Sequence, residues 1–177
     1  LFTSPLDTAI GLERTTCQLI DVEVKDGEYV FGFAKLKRWI DLCKKCGIEY
    51  FEMSHLFSQW GAKYAPKVVA TVNGKKEKIF GWHTPAVGEY TKFLESFLPQ
   101  LTAKLRKWEI ADVTYFHISD EPREEHLESY KAAKESLGNM LGGFHTFDAL
   151  SSYEFYRHGL IDKPVPGNNE IEEFLAN

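Results

Sequence analysis

The sequence predicts an α/β fold with a parallel sheet, of the (β/α) TIM-barrel type but partial, with about four to five βα units resembling a half barrel. Strand-like and helical runs alternate along the chain, which is typical of parallel strands joined by crossover helices. Polar residues also follow three predicted strands directly: Ser54 with His55, Asp120 with Glu121, and Asp148. In (β/α) barrels the catalytic residues lie at the rim formed by the carboxyl ends of the strands. No strand is followed by a glycine-rich phosphate loop, which disfavours a dinucleotide-binding fold.

Periodicity and turn residues predict the elements of the first half of the chain. Apolar residues at 3–4 spacing before Gly47 predict a helix, and Asn73-Gly74 predicts a hairpin inside a long loop. Residues 1–14 have no clear period. The predicted elements are a strand at 17–24, a short return strand at 29–31, a helix at 33–46, a strand at 48–53, and hairpin strands at 68–72 and 77–80 within the loop 56–85.

The second half predicts a long amphipathic helix followed by two further strand–helix pairs. Pro99 is expected to kink the long helix or to start a second segment, and Gly138 is expected to stop the next helix. The predicted elements are a helix at 84–108, a strand at 111–119, a helix at 124–137, a strand at 140–147, a helix at 152–158 and a last strand at 161–165.

The length of the chain limits how much of a barrel it contains. A complete eightfold barrel takes about 250 residues, whereas this chain has 177 and starts at Leu1 rather than at Met. We therefore expect one domain over residues 1–177 that is part of a (β/α)8 domain, with flanking parts of the full-length protein absent. A partial barrel exposes sheet edges and an apolar face, so self-association is also expected.

Composition excludes several classes of partner. The net charge is −5, with 21 basic and 26 acidic residues and no basic stripe, so a nucleic-acid partner is not expected. No apolar run approaches the roughly 18 residues that membrane insertion requires. Cys43 and Cys46 form a C-x-x-C, but their helical spacing with apolar residues predicts that both face a core. No further Cys/His pair completes a zinc site, so no metal is expected.

The stretch FHISDEP, residues 116–122, places two carboxylates side by side at the end of an apolar strand. Burying adjacent like charges is costly, and proteins tolerate it mainly where one acid acts as proton donor and the other as anion. Pro122 favours an extended backbone at Glu121. We therefore expect Asp120 and Glu121 to point to opposite sides of the chain and to reach different atoms of one ligand.

Glycoside hydrolysis uses such a pair, with an acid near the leaving oxygen and a second carboxylate elsewhere. Ordinary retaining enzymes place the two groups on different strands. An adjacent Asp-Glu pair instead suits the substrate-assisted mechanism, in which the 2-acetamido oxygen of the sugar attacks the anomeric carbon. The Asp then holds the acetamido N–H, and the Glu protonates the leaving oxygen and later activates water.

Three stretches together resemble the catalytic domain of glycoside hydrolase family 123: IEYFEMSHLFSQWG, FGWHTPAVGEYTKFLESFLPQL and FHISDEP. The resemblance covers about residues 17–165. It implies a TIM-like glycosidase domain, often flanked by β-sandwich regions, that hydrolyses terminal β-linked N-acetylgalactosamine with retention through an oxazoline intermediate. It also implies that Asp120 orients the acetamido group, that Glu121 is the general acid/base, that a glycan is the substrate, and that no metal or organic cofactor takes part.

Six further residues are candidates for binding the sugar, each with packing as the competing interpretation. Two are Trp residues beside glycines, which allow a ring to approach a pyranose face closely. Three lie at or near predicted strand ends, and one tyrosine lies further along the chain. They are His55, Trp60, Trp82, His117, Asp148 and Tyr153.

Two alternatives stay open. An ordinary two-carboxylate retaining glycosidase would use Glu121 as acid/base with a nucleophilic glutamate on a later strand, but no glutamate after residue 122 ends an apolar strand. A non-catalytic carbohydrate-binding or structural fragment would bind sugar without turnover.

Overall fold

The computed structural model describes residues 1–6 and 17–176. The strands in these ranges are β1 (Phe2–Thr3), β2 (Asp21–Lys25), β3 (Glu28–Gly32), β4 (Phe51–Met53), β5 (Val68–Val72), β6 (Lys75–Phe80), β7 (Thr114–Phe116), β8 (His145–Leu150) and β9 (Lys163–Pro166). The α-helices are α1 (Ala34–Lys45), α2 (Glu89–Lys107), α3 (Leu127–Ser136), α4 (Glu154–Arg157) and α5 (Ile171–Ala176). Two 3₁₀ turns lie at Ala111–Val113 and Glu124–His126.

The larger sheet has five strands in the order β1-β4-β7-β8-β9, and every neighbouring pair is parallel. Strand order therefore follows chain order, and each new strand is added on the same side of its predecessor. Helices α2, α3 and α4 lie in the three connections from β4 to β9. This confirms the predicted α/β class with a parallel sheet.

The second sheet has four strands in the order β3-β2-β5-β6 and consists of two hairpins joined through the parallel pair β2–β5. Both hairpins turn on two residues with positive φ, Asp26-Gly27 and Asn73-Gly74. Such left-handed pairs match the twist of two-residue hairpin turns. The hairpin predicted from Asn73-Gly74 is confirmed, with its second strand starting two residues earlier.

The predicted place of the first strand is wrong. The strand expected at 17–24 is β2, and it belongs to the second sheet, where it lies between β3 and β5. The parallel sheet instead begins with β1, within a segment that shows no period because two residues are too few to display one. The rest of that segment, residues 7–16, lies outside the described residues.

Aromatic packing joins the second sheet to α2. Phe93 of α2 meets Tyr29 and Phe31 of β3 and Phe80 of β6 with ring centroids 5.0, 5.6 and 5.3 Å apart. Each fully buried aromatic side chain contributes about 1.5–3 kcal/mol through removal of apolar surface from water. Helix α2 continues through Pro99 as one helix, so no second segment starts there.

The two faces of the parallel sheet differ. Phe51, Met53 and Phe116 are buried on one face, whereas Glu52 and its register partner Tyr115 lie half-buried on the other. A parallel strand that is buried on both faces has a nearly continuous apolar sequence. The alternation in β4 and β7 therefore indicates that the second face has a different use from the first.

The cysteines are free in the described residues, and the prediction that both thiols of the C-x-x-C face a core is wrong for one of them. Cys43 is buried on α1, but Cys46 is exposed because the helix ends at Lys45 and Cys46 is its C-cap. Within residues 1–6 and 17–176, no group of three or more His, Cys, Asp or Glu side chains is arranged to hold a metal ion. In the same ranges, no helix has the length and apolar character needed to traverse a bilayer.

Candidate active site

The acid pair lies just beyond the carboxyl end of β7, against the loop that follows β4. Three backbone N–H groups of that loop donate to carbonyl oxygens after β7, at N···O distances of 3.0 Å. They run from Leu56 to His117, from Phe57 to Ile118, and from Trp60 to Asp120. Because parallel strands end at one edge, these bonds fix both segments at the rim where sheet proteins of this class place their chemistry.

Asp120 is half-buried and held from two sides. Its Oδ2 accepts a hydrogen bond from Nε2 of Gln59, and its backbone oxygen accepts one from the Trp60 N–H. His55 lies close enough for the Asp120 charge to affect it. Burial and the nearby His117 lower the pKa of His55, Asp120 opposes both effects, and the net pKa is about 4. Asp120 is therefore a fixed carboxylate beside an imidazole that is neutral at pH 7.

Glu121 has a different environment and a strained backbone. Its φ is +43°, in the left-handed region, so the prediction of an extended backbone is wrong. The chain turns at once after the strand, and this outweighs the preference that Pro122 imposes. A non-glycine residue in this region costs about 1–2 kcal/mol, and such strain is found most often at functional sites. Glu121 is exposed to solvent, whereas Asp120 is not fully so.

Glu121 and Trp60 line the same open cleft, which has a volume of about 460 Å³. The cleft also contains Arg123 and Asn169 and is bordered by the ends of β8 and β9. Trp60 is 55% exposed, so its indole is available to a ligand. A flat aromatic surface beside a carboxylate is suited to stacking on a sugar ring while the acid reaches an oxygen.

Gly61 explains how the Trp60 loop fits against the start of α3. Its φ is +108°, and a Cβ at this position would lie 2.8 Å from Cβ of His126. The carbonyl oxygen of Gly61 accepts a 2.6 Å hydrogen bond from Oγ of Ser129. Only glycine therefore lets the loop approach this helix without displacing it, and the approach holds Trp60 over the cleft.

Beneath the acid pair lies a buried polar cluster, which we call the interior network: Glu52, His117, Asp148 and Tyr130. His117 Nδ1 lies 2.7 Å from Oδ1 of Asp148, and Nε2 lies 2.6 Å from Oε1 of Glu52. The other oxygen of Asp148 accepts hydrogen bonds from the Tyr130 hydroxyl and from the Ser119 N–H. The network thus links β4, the segment after β7, β8 and α3.

Two carboxylates around one ring determine its charge. Burial alone lowers the pKa of His117, but the hydrogen bonds and negative charges of Asp148 and Glu52 outweigh it, and the net pKa is raised. Burial raises the pKa of Asp148, against the opposing effects of His117, Tyr130 and the Ser119 N–H. We assign an imidazolium at His117 that donates to both carboxylates, since both ring nitrogens then act as donors.

Asp148 does not lie where the sequence predicted it. It was expected at the rim, after a strand at 140–147, but β8 runs over His145–Leu150 and Asp148 sits within it. It is 0% exposed and both oxygens are engaged, so it is placed to orient His117 rather than to meet a sugar hydroxyl. The preceding 140–144 segment contains two glycines and turns instead of extending.

The other predicted residues divide into two groups. His55 and His117 lie together, with ring centroids 5.0 Å apart, next to Asp120. Tyr153 instead packs against Phe174 of α5, with centroids 5.2 Å apart, and Trp82 is exposed and stacks on the adjacent His83. The described contacts do not join Tyr153 or Trp82 to the acid pair.

Sequence reasoning missed Glu52, Gln59 and Tyr130. Glu52 had a signal, because a carboxylate between Phe51 and Met53 in a short strand must face away from the core. Gln59 had only its position before Trp60, and Tyr130 had none, since a helix period does not reveal that a tyrosine hydroxyl reaches a buried aspartate.

Comparisons with known proteins give a matching family and a structure of similar fold. The profile of the family described as "Glycoside hydrolase 123, catalytic domain" matches residues 1–177. A solved structure of a family 123 glycoside hydrolase from Clostridium perfringens, analysed for glycolipid glycan hydrolysis, superposes with a TM-score of 0.68 at 16% sequence identity. That similarity covers 96% of this chain but only 30% of the other, so this chain spans less than a third of its length. No curated protein sequence matches the chain.

Proposed function

This chain belongs to glycoside hydrolase family 123 through its catalytic domain, and from that premise we propose that it cleaves terminal β-linked N-acetylhexosamine from a glycan. N-acetylgalactosamine is the proposed sugar. The reaction retains anomeric configuration and proceeds by substrate-assisted catalysis through an oxazoline intermediate.

The observation that carries the proposal is the contrast between the adjacent carboxylates. Asp120 is half-buried, hydrogen-bonded to Gln59 and next to His55, whereas Glu121 is exposed in the cleft beside Trp60. Two acids in unlike environments can hold different protonation states and perform different roles. A carboxyl group held in place and a second one open to solvent are the two groups that the substrate-assisted mechanism requires.

In the proposed first step, Asp120 accepts a hydrogen bond from the acetamido N–H and directs the acetamido oxygen to the anomeric carbon. A bond forms between that oxygen and C1 while the glycosidic bond breaks, and Glu121 gives its proton to the leaving oxygen. In the second step Glu121, now a carboxylate, removes a proton from water. The oxazoline keeps its N–H proton, hydrogen-bonded to Asp120, so that when the water oxygen bonds to C1 and the ring C–O bond at C1 breaks, the acetamido group is restored.

The surrounding residues have proposed roles that follow from their exposure. Trp60 stacks on the sugar ring, and His55, neutral at pH 7, binds a sugar hydroxyl or the acetamido group. His117 and Asp148 support the site from below. Trp82 and Tyr153 are not assigned a role in binding.

We also propose that the parallel sheet is one part of a (β/α) barrel. Its sequential strand order supports this, since each crossover in such a barrel adds the next strand on the same side. The edge strand β9 exposes Val165, which supports the further prediction of self-association. Light scattering on the purified chain tests it, and a monodisperse monomer would contradict it.

The test of function compares aryl β-N-acetylgalactosaminide with the matching aryl β-galactoside. Only the first should be cleaved, because the second lacks the attacking amide. Glu121→Gln should lose roughly 10²–10⁴-fold in kcat on substrates with poor leaving groups, the usual contribution of acid–base catalysis. Asp120→Asn should lose turnover on all leaving groups, and Glu125→Gln, an exposed neighbour, should match the unaltered chain.

Three outcomes count against the proposal. Efficient cleavage of the plain galactoside would remove the amide from the mechanism. Binding of N-acetylgalactosamine without any turnover would favour a carbohydrate-binding fragment. Full activity of Glu121→Gln on an unactivated glycoside would remove Glu121 from its role.

An ordinary two-carboxylate mechanism is the second candidate, and one observation favours it. Glu52 on β4 is a half-buried carboxylate on a strand adjacent to the one that leads to Glu121. Retaining enzymes of that type place nucleophile and acid on different strands. In that case the galactoside is a substrate and Glu52→Gln loses kcat on both sugars.

A further inference from the structure

Glu52 occupies a position that carboxylates rarely take, the middle of a parallel strand. Its neighbours Phe51 and Met53 are 1% and 0% exposed, so both face the helices. Glu52 therefore faces the opposite side of the sheet, where its side chain is 35% exposed. Placing a charge on a largely covered sheet face is unfavourable unless the charge has a partner or a use.

Residues from several elements of the fold hold the Glu52 carboxylate in place. His117, from the segment after β7, contacts Oε1 of Glu52 at 2.6 Å. Asp148 of β8 fixes the other nitrogen of His117 at 2.7 Å, and Tyr130 of α3 fixes Asp148. A ring held at both nitrogens cannot rotate, so Glu52 is oriented as well as bound.

The charges of the cluster leave Glu52 with capacity for a further donor. One imidazolium serves two carboxylates, and Asp148 is fully buried with both oxygens engaged. Within the described residues, the Glu52 side chain has His117 as its hydrogen-bonding partner, through Oε1. A carboxylate accepts about four hydrogen bonds, so the half-exposed Glu52 still has acceptor sites on the open face.

We propose that Glu52 is a specificity-determining residue that accepts a hydrogen bond from a ring hydroxyl of the bound sugar, with His117 as its positioning residue. This inference rests on the proposed function. The interior network adjoins the acid pair. The rings of His117 and His55 have centroids 5.0 Å apart, and the charge of Asp120 affects the pKa of His55. A hydroxyl suits the site, since its O–H can donate to an acceptor site that His117 leaves open on Glu52.

Kinetics separate this role from that of a nucleophile, because the loss of a nucleophile lowers kcat. A hydroxyl-binding carboxylate acts on ground-state and transition-state binding alike, so its loss raises KM more than it lowers kcat.

The test measures kcat and KM of Glu52→Gln on aryl β-N-acetylgalactosaminide and on its monodeoxy analogues. We expect KM to rise roughly 10- to 100-fold, the effect of removing a hydrogen bond to a charged group, with kcat changed less than about threefold. One deoxy analogue should bind the unaltered chain more weakly yet lose little further on Glu52→Gln, because the two changes remove the same bond. Glu49→Gln, on an exposed residue three positions earlier, is the matched control and should change nothing.

Glu52→Asp serves if the amide variant does not fold, as judged by circular dichroism. It keeps the charge but withdraws it by one methylene, and the same KM increase with the same analogue dependence is expected. His117→Asn should show part of the KM increase, since it releases Glu52 without removing it.

Two results overturn the inference. An unchanged KM in folded Glu52→Gln would remove the hydroxyl contact, and a kcat loss above about a thousandfold with an unchanged KM would make Glu52 catalytic instead. The proposed function is judged separately, by Glu121→Gln. If that variant is inactive while Glu52→Gln keeps its KM, only the present inference falls. If the unaltered chain neither binds nor cleaves the sugar, both fall.

Discussion

The interior network and the open cleft differ in burial and in backbone strain although both adjoin one acid pair. In the network, Asp148 is fully buried and makes hydrogen bonds through both oxygens. In the cleft, Trp60 is more than half exposed, and both Trp60 and Glu121 have positive φ. The buried members of the network, His117 and Asp148, are satisfied in their hydrogen bonds, whereas the cleft is accessible and strained.

Asp120 and Glu121 show what this difference does for two residues that are neighbours in sequence. Asp120 is hydrogen-bonded to Gln59, and Glu121 lines the cleft. One left-handed backbone turn thus separates a half-buried, hydrogen-bonded carboxyl group from a solvent-exposed one. The stability that the network contributes and the backbone strain in the cleft can each be measured by substitutions that change the free energy of unfolding.

The largest effect is expected where the network loses its buried anchor. Asp148→Ala leaves His117 and Tyr130 without their shared acceptor, and breaking a buried ion pair from one side costs about 3–5 kcal/mol. Urea denaturation of both chains measures the difference in unfolding free energy. Asp112→Ala, on an exposed residue, should change it by less than about 0.5 kcal/mol. A small loss at Asp148 would mean that the network is not a structural anchor.

The second effect is a pH dependence with opposite signs at two neighbouring rings. Burial holds the pKa of His55 near 4, below its ordinary 6.5, so the folded state binds fewer protons there. The contribution of His55 to the free energy of unfolding is complete above pH 6.5. About 3 kcal/mol of it is lost as the pH falls towards 4. The pKa of His117 is raised above 6.5, so its contribution is complete below pH 6.5 and is lost as the pH rises through the folded value.

As far as His55 and His117 determine it, the free energy of unfolding should therefore be greatest near pH 6.5. Denaturation at half-unit steps from pH 4.5 to 8 measures the profile. His55→Asn should flatten its acid side, and His117→Asn should flatten its alkaline side. A profile that His117→Asn leaves unchanged above pH 6.5 would contradict the assignment of an imidazolium between Glu52 and Asp148.

Local signals in the sequence were enough for most elements and for the acid pair. Asn73-Gly74 specifies its hairpin through the left-handed turn it favours, and the 3–4 spacing of α2 specifies a buried face whatever lies opposite. Membership of β2 in the second sheet was not predictable in this way. It depends on pairing with β5, some fifty positions along the chain, and the strand's own composition does not encode its partner.

The site was predictable to the extent that its chemistry lies in consecutive residues. FHISDEP identifies Asp120 and Glu121 because adjacent acids after an apolar strand are costly without a use. The network was not predictable, because Tyr130 and Asp148 meet only through the packing of α3 on the sheet. The backbone of Glu121 was mispredicted because a preference of Pro122 was weighed without the tertiary bonds around it.

A smaller effect is expected at the glycine that holds the Trp60 loop in place. Gly61→Ala places a methyl group 2.8 Å from the His126 side chain at a backbone with φ of +108°, and strain and overpacking together should cost about 2–3 kcal/mol. Gly27→Ala is the matched control, since its φ is +83° but open space surrounds its Cβ position, and it should cost about 1 kcal/mol. The difference between the two measures the clash alone. Equal losses in urea denaturation would show that His126 moves aside freely.

The smallest effect has the opposite sign and tests whether strain at Glu121 serves function. Glycine adopts φ of +43° without steric penalty, so Glu121→Gly should raise the free energy of unfolding by about 1 kcal/mol while turnover is lost. Glu125→Gly, in the 3₁₀ turn at Glu124–His126, should instead lower it by about 0.5–1 kcal/mol, since no strain is relieved there. A gain in stability with a loss of activity means that the residue is kept for its carboxylate against the preference of its backbone. If Glu121→Gly destabilises the chain as much as Glu125→Gly does, the left-handed turn carries no strain, and the contrast between a satisfied network and a strained cleft fails at its central residue.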